Sequence, residues 1–112
     1  MMLVCGPLMS GKKDFARAYL ARRGLDFEEN CVWDVQALAA AAADLDALAE
    51  GLSRYAVVVA TETGGGVVPT DPAQRAAREA AGRLCCLLAE RADTVVRVFC
   101  GLPAVLKGEL PW

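Results

Sequence analysis

A chain of 112 residues buries roughly two-thirds of its unfolded surface, enough for one hydrophobic core and not two. A net charge of −2 with no basic run beyond two residues excludes the electrostatic footprint of a nucleic-acid binder, and no apolar stretch approaches the ~20 residues of a membrane-spanning helix. The 55% apolar content, rich in Ala, Val and Leu and poor in aromatics, argues against a β-sandwich and for helices laid on a buried sheet. It also exceeds the usual ~45–50%, which points to burial against a partner chain and so to a homo-oligomer.

In chain order, residues 2–5 form an apolar run closed by Gly6-Pro7, the pattern of a buried strand feeding a loop. The run has no basic n-region, so it does not read as a signal peptide, and the protein is expected in the cytoplasm. Between Gly11 and Arg23, Phe15, Tyr19 and Arg22 fall at helical spacing, and Gly24 suits the helix end. Residues 31–33 are a short strand candidate. Residues 35–51 read as one helix, with Val35, Leu38, Ala42, Leu45, Ala49 and Leu52 recurring every three or four positions. Residues 55–60 (YAVVVA) are the strongest strand signal, apolar throughout as a strand buried on both faces should be. A turn-rich loop follows over 61–69, and its Gly64-Gly65-Gly66 suggests close backbone approach to a ligand or another subunit. Asp71 is a good N-cap with Pro72 at N1 and Gln74 at the capping-box position, opening a helix to about Arg91. Residues 94–100 give a last strand, which Gly101-Leu102-Pro103 ends.

This alternation predicts an α/β domain over 1–112, three layers deep, with a mostly parallel sheet of about four or five strands flanked by helices. Five cysteines (Cys5, Cys31, Cys85, Cys86, Cys100) form no C-x-x-C pair, and there is no histidine. They read as reduced thiols packed as small hydrophobes, in preference to zinc ligands.

Gly6-Pro7-Leu8-Met9-Ser10-Gly11-Lys12-Lys13 fits the phosphate-loop pattern G-x-x-x-x-G-K and has Lys13 where the pattern ends in Ser or Thr. Glycines let the backbone wrap an anion with its N–H groups pointing inward. The helix opening at Gly11 adds its positive end, and Lys12 reaches the β- and γ-phosphates of a nucleoside triphosphate. The alternative is an ordinary strand-to-helix turn with a surface lysine pair. Lys13 cannot ligate Mg²⁺ and opposes its charge, so any Mg²⁺ is weakened here. Two carboxylates stand at strand ends where such a site would take its metal-side acid. Asp34 follows residues 31–33 and could equally cap the next helix. Glu62 follows residues 55–60 and could equally be a surface loop carboxylate.

Several stretches together resemble one family. They are the first strand with its Gly-x-x-x-Ser-Gly-Lys loop, the Thr-Glu-Thr-Gly-Gly-Gly-Val-Val-Pro block at 61–69, the helix with Arg75 and Gly82-Arg83, and Val-Phe-Cys-Gly-Leu-Pro-x-x-Leu-Lys at 98–107. They look like adenosylcobinamide kinase/adenosylcobinamide-phosphate guanylyltransferase of cobalamin biosynthesis. The resemblance implies a P-loop NTPase-like fold, a propeller-like homotrimer, GTP or ATP as ligand with Mg²⁺, and adenosylcobinamide as the phosphoryl acceptor. It also implies a second step that transfers GMP through a guanylylated histidine. By resemblance Gly6, Gly11 and Lys12 bind phosphate, Lys12 and Glu62 serve catalysis, and Asp34 and Glu62 stand on the metal side. This chain departs in being shorter between its first helix and Asp34, in lacking histidine, in Lys13, and in Cys85-Cys86 where the family often has Asn-Gln. It therefore reads as a shortened member that retains nucleotide binding and has lost guanylyl transfer. The alternative reading is a non-catalytic regulatory descendant that binds a nucleotide or a partner.

Overall fold

The computed structural model describes residues 1–63 and 71–110. Its elements run β1 (Met2–Gly6), α1 (Lys12–Arg22), α2 (Phe27–Asn30), β2 (Cys31–Val32), α3 (Gln36–Ala39), α4 (Leu45–Leu52), β3 (Val57–Thr61), α5 (Pro72–Arg91), β4 (Thr94–Phe99) and β5 (Leu102–Lys107). The strands form one sheet in the order β2-β3-β1-β4-β5, parallel except for β5, which runs antiparallel to β4. The α/β class and the mostly parallel sheet of five strands are as the sequence predicts.

Strand alternation sorts the core into two layers. Leu3, Val58 and Val95 face α3, α4 and α5, where Leu84 and Leu88 of α5 are fully buried. Met2, Val4, Val57, Val59, Val96 and Val98 face the other way onto Phe15, Ala16 and Leu20 of α1. The central strands are thus apolar on both faces, which is why they read as unbroken runs. The chain leaves β1 toward β2 on one side and leaves β3 toward β4 on the other. Their C-terminal ends flank a topological switch point, where open α/β sheets form their ligand crevice.

Two expectations fail. The single helix over 35–51 is two helices, α3 and α4, with residues 40–44 between them. The Asp44 side chain accepts a hydrogen bond from the Ala47 N–H at 3.2 Å and so starts a new helix. The alanines before it carry no bulky side chain whose burial would hold the first helix together, and Leu38 is 46% exposed. The chain also does not stop pairing at Gly101-Leu102-Pro103. Cys100 and Gly101 both have positive φ (53° and 75°) and form a two-residue turn between paired Phe99 and Leu102, which launches β5. Pro103 reads as a terminator, but on an edge strand its missing N–H costs nothing. At α5 the N-cap and N1 readings hold: the Asp71 carboxylate accepts from the Ala73 N–H at 2.9 Å, and Pro72 opens the helix.

Candidate functional site

The loop between β1 and α1 is held from both sides. Gly6 has φ +154°, and a Cβ there would collide with the Val98 carbonyl oxygen and approach the Ser10 hydroxyl to 2.9 Å. Gly11 caps α1 with φ 95° and lies against Gly101, whose N–H donates to the Ser10 carbonyl at 2.8 Å. The β4–β5 turn therefore buttresses the loop. The N-cap residue of α1 is Gly11, which has no side chain with which to cap the helix, so the first N–H groups face the loop without a capping acceptor from that position. The Ser10 hydroxyl is buried and has no hydrogen-bond partner among the described residues. A buried hydroxyl without a partner in an uncapped glycine-bounded loop fits an anion.

Lys12 is only 6% exposed, and its Nζ donates to the Pro7 carbonyl at 2.6 Å, so the side chain curls back across the loop. Burial pushes its pKa down, while the negative charges of Asp34 and Glu62 pull it back up. Lys13 points to the side, 3.6 Å from an Asp34 carboxylate oxygen and 5.3 Å above the Trp33 ring. Trp33 stacks on Phe27 at 5.1 Å, and Arg17 covers Phe27 at 4.6 Å. Asp34 has φ 56° and makes no side-chain cap to α3, so its helix-cap reading is not met. Residues 8–13, Asp14, Asp34, Val59 and Thr61 line a cleft of about 420 Å³.

Glu62 lies beside this cleft, in a neighbouring one of about 300 Å³ with Arg78 and Cys85. Its backbone N–H donates to the Gly6 carbonyl at 2.9 Å, extending the β1–β3 ladder past Thr61. Its carboxylate takes a two-pronged contact from Arg97, Nε at 2.7 Å and Nη2 at 2.9 Å, which holds the carboxyl below the ordinary glutamate range. The glycine stretch 64–66 lies outside the described residues. Two site residues escape the sequence reading: Arg97, a lone charge inside the apolar run TVVRVF, and Gln36, whose Oε1 accepts from the Thr61 N–H at 2.9 Å. The Arg97 signal was the isolated charge itself; Gln36 gave none.

The structure thus brings the loop, Lys12, Lys13 and Asp34 together, with Glu62 next door. Mg²⁺ does not fit as an ion held by protein ligands. Asp34 is paired with Lys13 and Glu62 with Arg97, and no group of three or more His, Cys, Asp or Glu among the described residues could hold a metal. Nor does a thiol stand in for the absent histidine near Glu62. Burial pushes the Cys85 thiol up to about 11 and raises Cys5 as well, so neither is a thiolate near neutral pH.

Against known proteins, the family model for cobinamide kinase / cobinamide phosphate guanyltransferase matches residues 26–106, well over half of the chain. The chain belongs to this family. The cobinamide kinase/guanyltransferase match runs from α2 into β5, including the middle of the chain, and leaves out β1, the loop 6–13 and α1. The match therefore says nothing of the loop 6–13, whose candidacy rests on its own motif and geometry. No curated protein matches the chain. Membership makes it a kinase/guanylyltransferase-like protein of cobalamin biosynthesis. Among the described residues no helix is long and apolar enough to cross a membrane.

The Glu62–Arg97 pair has a pH signature. The folded-state pKa of Glu62 lies below its unfolded value, so the pair's stability is present above the unfolded carboxylate pKa and is lost as pH falls through the folded one. Thermal melts taken from neutral pH into acid should show a steeper loss for the wild type than for Glu62→Gln, whose curve lacks that component.

Proposed function

We propose that the chain binds GTP or ATP with the β- and γ-phosphates in the loop 6–13, within a single P-loop NTPase-like domain that lacks a segment between α1 and Asp34. The observation that carries this reading is Lys12 resting on the Pro7 carbonyl over a helix start whose N-cap is a glycine, beside a Ser10 hydroxyl with no partner among the described residues. When nucleotide enters, the Lys12 ammonium exchanges a neutral carbonyl for phosphate oxygens, a stronger charge-assisted pairing. Adenosylcobinamide is the acceptor that the family supplies. Its hydroxyl oxygen would form the new bond to the γ-phosphorus as the bond to the bridging oxygen breaks, the hydroxyl proton passing to solvent water, with Lys12 neutralising charge on the departing diphosphate. Glu62, kept ionised by Arg97, is a poor proton acceptor, so its role is to orient. Guanylyl transfer through a histidine is closed to a chain with no histidine.

A second reading, nucleotide binding without transfer in a regulatory descendant, is favoured by the ion pairs that occupy Asp34 and Glu62. Incubation with adenosylcobinamide and GTP labelled at the α- or γ-phosphate separates the readings. Label moving from the γ-phosphate to cobinamide supports a kinase. No transfer of either label supports the regulator. α-Label bound to the protein would sink both.

We assign the protein to the cytoplasm as a homo-oligomer, a trimer by family. Every residue of β5 is exposed, and Leu102 (71%), Leu106 (62%) and neighbouring Phe99 (55%) present apolar surface along a sheet edge that no further strand of the described residues pairs. Light scattering should return about three times the 11.8 kDa chain mass, and the double substitution Leu102→Lys/Leu106→Lys should reduce it to one chain.

A further inference from the structure

We infer that Lys13 takes the place of the metal ion, so that the triphosphate binds without a divalent cation. This rests on the triphosphate reading above and adds how the phosphate charge is met. At position 13 the motif's hydroxyl would face a Mg²⁺ ion, and here stands an ammonium with three donors and no acceptor, which cannot ligate a cation and repels one. The carboxylates that could compensate are already matched, Asp34 by Lys13 at 3.6 Å and Glu62 by Arg97 at 2.7 Å. Asp14, also on the cleft, lies 3.9 Å from Arg17. Each carboxylate on or beside the cleft thus already has a cation within 4 Å, while Lys12 and Lys13 both line the cleft that the phosphates would fill.

Lys13 is free to make the move. Its contact with Asp34 is long, and the two side chains are 44% and 53% exposed, so water screens the pair and little holds it. The four-carbon stem lets the ammonium leave Asp34 and the Trp33 face and settle on phosphate oxygens at the start of α1. Until a phosphate arrives, Asp34 keeps Lys13 at the wall of the cleft. Lys12 sits over the loop and Lys13 beside it, so two compact cations on adjacent residues meet the β- and γ-phosphates from different directions.

The departure of Lys13 from Trp33 provides a signal. In a Trp112→Phe background Trp33 is the sole tryptophan, and titration with GTP and with ATP is followed by its emission and by calorimetry, in EDTA and in excess MgCl₂. We expect wild-type dissociation constants within about threefold of each other in the two media. Lys13→Ser should weaken binding in EDTA by about tenfold or more, the loss of one charge-assisted contact. Mg²⁺ should recover much of that loss, because the serine restores the hydroxyl ligand. Wild-type binding that requires Mg²⁺, or a Lys13→Ser protein unchanged in EDTA, would overturn the inference and leave triphosphate binding standing. No binding by the wild type in either medium would overturn both.

Discussion

Lys12→Ala should lower the affinity for GTP or ATP by at least ~100-fold, about 2.8 kcal/mol at 1.4 kcal/mol per tenfold. Lys12 is nearly buried and already spans the loop to Pro7, so its ammonium is held over the loop before any ligand arrives. Stability should move the other way. The folded-state pKa of Lys12 is pushed below its unfolded value by burial, so between the two values the unfolded chain binds more protons and stability rises with pH. The charged lysine is thus a stability cost at neutral pH. Lys12→Met, which keeps most of the stem and drops the charge, should melt no lower than the wild type while losing a similar ~100-fold or more in nucleotide affinity. Such opposition between stability and binding marks a residue kept for its ligand. A surface lysine of an ordinary turn would change affinity by no more than a few-fold. Calorimetric titration beside thermal melts checks both halves.

Two glycine substitutions should have opposite signs. Gly6→Ala places a methyl against the Val98 carbonyl at a φ of +154°, where neither the backbone of a central strand nor the loop can yield cheaply. A loss of about 2–4 kcal/mol is expected from strain and overpacking together, with triphosphate binding abolished. Gly51→Ala, near the end of α4, meets nothing within 4 Å and has no positive φ. Removing its unfolded-state freedom should stabilise by about 0.5–1 kcal/mol. Urea midpoints at constant m-value report both.

The sheet was legible because its signals are local. β1, β3 and β4 are buried on both faces and so appear as unbroken apolar runs, and α5 announces itself with Asp71 and Pro72. The failures lie where tertiary context outweighs pattern. The alanine run before Asp44 has the spacing of a helix face but too little side chain to bury, so the cap that directly follows it wins. The β4–β5 turn uses Cys-Gly, which lacks the usual Asn or Asp signal yet adopts the same positive φ at both positions. At the site, Lys12, Gly6 and Gly11 were readable from spacing alone. What the sequence hides is pairing: Asp34 and Glu62 look like free carboxylates until Lys13 and Arg97 are found on them. Arg97 comes from β4, opposite Cys5 across the sheet and 35 residues from Glu62, so no local pattern joins the two. The same geometry turns a metal-side expectation into a reading based on lysines.

The most direct test is a calorimetric titration of the wild-type protein with GTP and with ATP. Saturable micromolar binding, one nucleotide per chain for at least one of the two, is the predicted result. No heat with either nucleotide would contradict it and leave the loop 6–13 as a strand-to-helix turn that carries a lysine pair.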